Sequence, residues 1–229
     1  MSTNSQPKDI RTVAYVLRRT NYGEADRILN LLTPNGKISA MAKGARKEKS
    51  KLAGNIEMFC KIDINVHQGK NEFGVLTSAK MLKYYSNLVI DLPRMELASL
   101  ILKKVNAASE NSDNSEFFEI IDQTLNALDE KYPADLVEAW FWFNFAKANG
   151  EEVNLYCDVN DNKLEQDKTY IWDTHESALK EQLGGNIACD EIKLMRLMLT
   201  SKLTVIHRVK NLSGKIPSIL HIAKSINKI

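Results

Sequence analysis

The chain has 229 residues, 44% hydrophobic and 26% charged, with a formal net charge of +2. This composition excludes fibrous and disordered classes, and the length suits two modules of roughly 100 to 150 residues each. No apolar run reaches the ~20 residues that cross a bilayer, the opening MSTNSQPKD lacks the apolar core of a secretory signal, and Cys60, Cys157 and Cys189 are too scattered for a disulfide framework, so a cytoplasmic protein with no membrane partner is expected.

Residues 1–80 read as strands. Val13, Tyr15 and Leu17 alternate with Ala14, Val16 and Arg18, a turn at Asn21, Tyr22 and Gly23 follows, and Arg27 to Thr33 is again β-like. Pro34, Asn35 and Gly36 supply turn dihedrals, Gly36 to Ala42 is a third strand, and Ala53 to His67 is a fourth, with Ile56, Met58, Cys60, Ile62, Ile64 and Val66 in strict alternation. After a turn over 68–71, Phe73 to Thr77 makes a fifth. Five short strands predict a small barrel of the oligonucleotide-binding (OB) type, with an SH3-like barrel as the structural alternative.

From Leu92 the period is helical, and residues 81–229 are expected to form a helical domain, giving an α+β chain. Leu97, Leu100, Ile101, Val105 and Ala108 form one stripe and Phe117, Ile120, Ile121, Leu125 and Leu128 another, which predicts two helices packed together. Pro133 opens a helix whose Trp140, Phe141, Trp142, Phe143 and Phe145 read as core rather than as a ligand box. Residues 150–175 lose periodicity and read as an irregular insertion. Stripes then resume at Ile192, Met195, Met198 and Leu199, at Leu203, Ile206 and Val209, and at Ile216, Ile219, Leu220, Ala223 and Ile226.

A catalytic site is not expected. Lys37 follows Gly36, but a phosphate loop needs an earlier Gly where Leu31 stands and Ser or Thr where Ile38 stands. There is no G-x-S-x-G or H-E-x-x-H motif, and His67, His175, His207 and His221 have no partner spacing. A metal-dependent hydrolase would have to gather Cys157, Asp161, Asp173 and His175, which lack the C-x-x-C spacing of zinc sites, and the Asp158, Asn160, Asn162 run has Lys163 where a calcium loop needs Gly. No cofactor is expected, zinc included.

The strongest signal is charge. From Lys37 to Lys51, six cations (Lys37, Lys43, Arg46, Lys47, Lys49 and Lys51) meet one acid, Glu48. Such clustering suits a phosphate backbone, because counterion release rewards it, and an extended loop between Gly44 and Gly54 would track that backbone. Tyr15, Tyr22 and Phe73 are the aromatics on which bases could stack.

At these residues the chain resembles the RecO family of bacterial recombination mediators. The likeness rests on Tyr22-Gly23-Glu24 with Asp26, then Leu-Leu-Thr, Gly-Lys, Ala-Lys-Gly-Ala-Arg and Lys51-Leu52, and spans most of the first eighty residues. It implies an OB domain over 1–80, a role in DNA repair and recombination, binding of single- and double-stranded DNA, strand annealing, and partnership with RecR and the single-stranded-DNA-binding protein SSB in loading a recombinase. Many members carry a four-cysteine zinc module; here Cys157 alone remains of it, so 150–175 reads as a degenerate version and zinc is not expected. The DNA-contacting role then falls on Arg18, Arg19, Arg27, Lys37, Lys43, Arg46, Lys47, Lys49 and Lys51. An RNA-binding or ribosome-associated OB-fold protein is the alternative, since its barrel would bear similar charge.

From Ile192 onward the chain has Lys and Arg but no Asp or Glu. That surface suits a peptide with acids before an apolar end, a character the implied SSB C-terminal tail has. Lys193, Arg196, Arg208 and Lys210 are the candidate contacts, with Arg196 foremost because a guanidinium grips a carboxylate bidentately.

Overall fold

A computed structural model describes residues 8–69, 73–109, 115–151 and 153–228; the opening segment and most of the turn expected over 68–71 lie outside them. The chain divides into two compact units, Met1–Leu125 and Asn126–Ile229. The change from strands to helices falls earlier, between Tyr84 and Ser86.

In the first unit five strands close into a barrel in the order β1-β2-β3-β5-β4. They are β1 (Lys8–Tyr22), β2 (Asp26–Thr33), β3 (Gly36–Ala42), β4 (Cys60–Gln68) and β5 (Gly74–Tyr84), antiparallel throughout except for β3 beside β5. The second and third strands match expectation closely because the Pro34-Asn35-Gly36 turn fixes their register. The fourth does not begin at Ala53: residues 53–55 are a 3-10 turn, and Leu52, Ile56 and Met58 pack on the barrel core before pairing starts at Cys60. The fifth strand is longer than Phe73–Thr77, running to Tyr84 along β4.

Ala14, Val16, Leu29, Leu31, Ala40, Ile62, Ile64 and Val66 belong to the buried barrel core, each large aliphatic stabilising by roughly 1.5 to 3 kcal/mol. The alternation of β1 breaks at a bulge between Val16 and Arg18. Before the bulge Tyr15 points away from the core, after it Arg19 pairs with the inward Leu29, and Leu17 is the extra residue. Adjacent Arg18 and Arg19 therefore face opposite ways.

The outside of β1 is covered by helices. Helix α1 (Ser86–Val89) leads into α2 (Leu92–Ala108), capped by Asp91 and packed on β1, and α3 (Glu116–Asp129) follows. The buried face of α2 is Ala98, Ile101, Leu102, Val105 and Asn106, so Leu100, expected inside, is on the wet side at 37% exposure. The side-chain bonds of these helices run to the barrel rather than between the two helices as expected. Asn106 accepts from Asn30 and its carbonyl from Lys37, while Asp122 of α3 accepts from the Tyr15 hydroxyl and from Lys61. Burial, then Tyr85 and Asp122, push the Tyr15 phenol far above its usual range, so it stays a neutral donor.

In the second unit α4 (Ala134–Ala148) is the central helix. Trp140 to Phe143 are at most 2% exposed, as their all-round apolar pattern predicts. Helices α5 (Cys189–Thr200) and α7 (Ile216–Ile226) pack on it, with short α6 (Leu203–Ile206) between them in sequence. Asn144 donates to Met198 O, Trp140 to Ser201 O and Asn227 to Trp142 O, and Lys224 pairs with Glu138, so polar groups fix the helices as well as apolar ones. Leu220 is only half-buried while Ile222 joins the buried stripe, and Val209 is exposed. The 150–175 stretch is less irregular than expected: it includes β6 (Tyr170–Asp173), which pairs with β7 (Ala178–Glu181).

Candidate nucleic-acid interface

The sequence brings nine cations forward on the first unit, and the fold sorts them. Arg19 and Arg27 share the parity of the core residues Leu29 and Ala42, and both pair with Glu57. They close one end of the barrel and are half-buried. Lys37 donates to Asn106 O at 3.0 Å and anchors α2. These three do structural work that the sequence alone did not separate from ligand contact.

Arg18, Lys43, Arg46, Lys47, Lys49 and Lys51 are exposed. Strand alternation sets Arg18, Tyr22 and Lys43 on the outer face of β1–β3, and the other four cations lie on the loop after β3. That loop is not the extended segment expected. It is a succession of turns, with Lys47 N on Gly44 O and Ser50 N on Lys47 O, both at 3.0 Å. Its ends are held by burial: Ala45 is 1% exposed and Leu52 packs on the core. Folding the loop brings successive cations closer than an extended chain would.

The loop is also bonded to the tip of the β1–β2 hairpin. Arg46 N donates to Ala25 O at 2.8 Å, the Arg46 guanidinium to Gly23 O at 3.1 Å, and Gly44 N to Asp26 Oδ1 at 2.7 Å. Gly44 has φ +64°, a conformation that costs most side chains 1 kcal/mol or more. Of the three stacking candidates, Tyr15 is 1% exposed and held by Tyr85 and Asp122, Phe73 is half-buried, and Tyr22 is 53% exposed on this tip. The arrangement is a basic surface carrying one open aromatic ring. It lends itself to phosphates and an unpaired base, and nothing in it activates a nucleophile.

The second unit has its own cationic groove, of about 270 Å³, floored by Leu194, Leu197, Val209 and Leu212 and rimmed by Lys193 and Lys210. Lys215 also lines it but pairs with Asp190 at 2.7 Å and holds that carboxyl below its ordinary range. Arg208 is exposed and outside the lining. Arg196 departs from expectation: Nε and Nη2 both donate to Leu155 O, at 3.0 and 2.7 Å, and the guanidinium lies 4.5 Å from the Tyr156 ring centre. That edge of the fork is occupied, so the bidentate grip on a carboxylate expected of Arg196 is not offered there.

Among the described residues no three His, Cys, Asp or Glu side chains gather as cation ligands. Cys157, Asp161, Asp173 and His175 thus do not converge. Asp158, which the sequence placed at the start of a loop, accepts from Asn160 N and Asn162 N at 2.8 and 2.9 Å and ties that loop itself. No helix among the described residues is long and apolar enough to cross a membrane.

Residues 8–85, the whole barrel, match a family model described as recombination protein O N terminal. Over 214 residues the chain is 29% identical to the DNA repair protein RecO of Dehalococcoides mccartyi, covering 90% of this chain and 84% of that one. It is 34% identical over 147 residues to the protein of the same name from a Roseiflexus species, covering 64% and 52% of the two chains. With the corresponding protein of Desulfatibacillum aliphaticivorans it shares 32% over 151 residues, covering 64% and 58%.

Proposed function

We propose, from the premise that this chain belongs to the RecO family of DNA repair proteins, that it is a non-catalytic recombination mediator that binds DNA through an OB-type barrel and anneals complementary strands. The observation that carries the reading is the turn-folded loop with Arg46, Lys47, Lys49 and Lys51 exposed beside Tyr22. Annealing needs phosphate charge neutralised on two strands while base edges stay free to pair, and it needs no bond-making residue. A surface of cations with one stacking ring meets that need. The test is whether the protein speeds annealing of complementary single strands coated with SSB.

In this reading the protein acts in the cytoplasm with RecR and SSB to load the recombinase. The SSB tail, acids before an apolar tip, is taken by the groove between Lys193 and Lys210. The cations attract its carboxylates, and Leu197, Val209 and Leu212 receive the tip. A labelled tail peptide should bind in a salt-sensitive way, and Lys193→Glu with Lys210→Glu should weaken it about tenfold or more while DNA binding changes less than twofold. Arg196→Ala should weaken the peptide less than this pair does, because it chiefly frees the Leu155 carbonyl. Equal losses for peptide and DNA would reject a dedicated tail site.

A further inference from the structure

The acid nearest the middle of the basic surface is Asp26, and its place there runs against simple electrostatics. A carboxylate among Arg18, Lys43 and Arg46 lowers the local potential and by itself repels phosphate. Yet the fold does not use it as a counterion. Its printed bond is to a backbone group, Gly44 N, at 2.7 Å. Gly44 is the residue at which the chain leaves β3 in the left-handed conformation, at φ +64°. The bond therefore fixes the first turn of the basic loop, and two residues on, Arg46 N reaches Ala25 O and its guanidinium Gly23 O.

Resting on the DNA reading above, we propose that Asp26 is a positioning residue: it latches the basic loop to the β1–β2 hairpin tip, so that the loop cations and Tyr22 meet a strand as one preformed surface. A hydrogen bond from an amide to a carboxylate is among the stronger protein hydrogen bonds. Without it, Gly44 has the freedom of any glycine and the loop cations sample many placements. Each DNA-binding event then bears the cost of ordering them.

The two effects of removing Asp26 oppose one another, which makes the test decisive. Asp26→Ala deletes a negative charge, and charge alone would tighten DNA binding a few-fold at low salt. Loss of the latch instead predicts single-stranded DNA binding about three- to tenfold weaker. Asp26→Asn removes the charge but keeps an acceptor oxygen for Gly44 N, so it should bind as tightly as wild type or more tightly. The experiment is fluorescence anisotropy with labelled single-stranded DNA on the full chain, paired with amide hydrogen exchange at Gly44 and Arg46 in the DNA-free protein. Exchange should quicken in Asp26→Ala and stay slow in Asp26→Asn. If Asp26→Ala does not fold, Asp26→Ser, whose hydroxyl is too short to reach Gly44 N, carries the same expectation. Wild-type binding with Asp26→Ala equal to it or tighter overturns the proposal and leaves the DNA reading standing. A wild type that binds no DNA overturns both.

Discussion

Reversing three loop charges together, Arg46→Glu, Lys47→Glu and Lys49→Glu, is expected to weaken single-stranded DNA binding on the order of a hundredfold near physiological salt. These side chains are exposed, and among the described residues none is in an ion pair with an acid. Their positive charge is thus available to phosphate. Each phosphate contact on a single strand contributes about 0.7 to the slope of log K against log salt, so the slope should flatten by about 2. Stability should move by only about 0.5 kcal/mol, because the loop is held by Ala45, Leu52 and backbone bonds that the substitutions leave in place. A salt slope equal to that of wild type would make the loop a solvated surface and nothing more.

Trp142→Ala should lower the stability of the second unit by about 3 to 5 kcal/mol. Trp142 is 0% exposed, its indole N–H donates to Glu138 at 3.2 Å, and its ring meets Phe141 and Phe145 edge-on at 4.7 and 5.7 Å. Truncation leaves a cavity the size of an indole at the middle of α4, where the helix is too enclosed to collapse. Melting of that unit should fall by on the order of 10 °C. DNA binding by the loop after β3 should persist below the new transition. A small loss of stability together with a loss of ligand binding would instead make the aromatic run a binding surface.

The barrel was legible where turn chemistry and alternation agreed, as in β2 and β3, where Pro34, Asn35 and Gly36 fix a hairpin by their own dihedral preferences. It was not legible at β1. A bulge has no signature in composition, and the one at Leu17 sets Arg18 outward and Arg19 inward although both are arginines in the same strand. The family likeness likewise named Arg18, Arg19, Arg27 and Lys37 alike, and only the positions of Glu57 and Asn106 in space separate structural cations from free ones. The central helix was legible because an apolar pattern on all sides leaves no other place for it. The shape of the basic loop was not: its charges suggested an extended tracker, and what folds it is an aspartate eighteen residues upstream that charge counting treats as an opponent. Arg196 failed for a similar reason, since no local pattern shows that a carbonyl forty-one residues away will occupy its fork.

The most direct measurement of the central claim is the rate of annealing of two complementary strands coated with SSB, with and without this protein, over a salt series and with RNA of equal length as competitor. The wild type should raise the rate several-fold or more, lose that effect as salt rises, and be inhibited more by single-stranded DNA than by RNA, while the triple reversal at Arg46, Lys47 and Lys49 should be close to the uncatalysed rate. No acceleration at low salt, or inhibition by RNA stronger than by DNA, would contradict a DNA-annealing mediator.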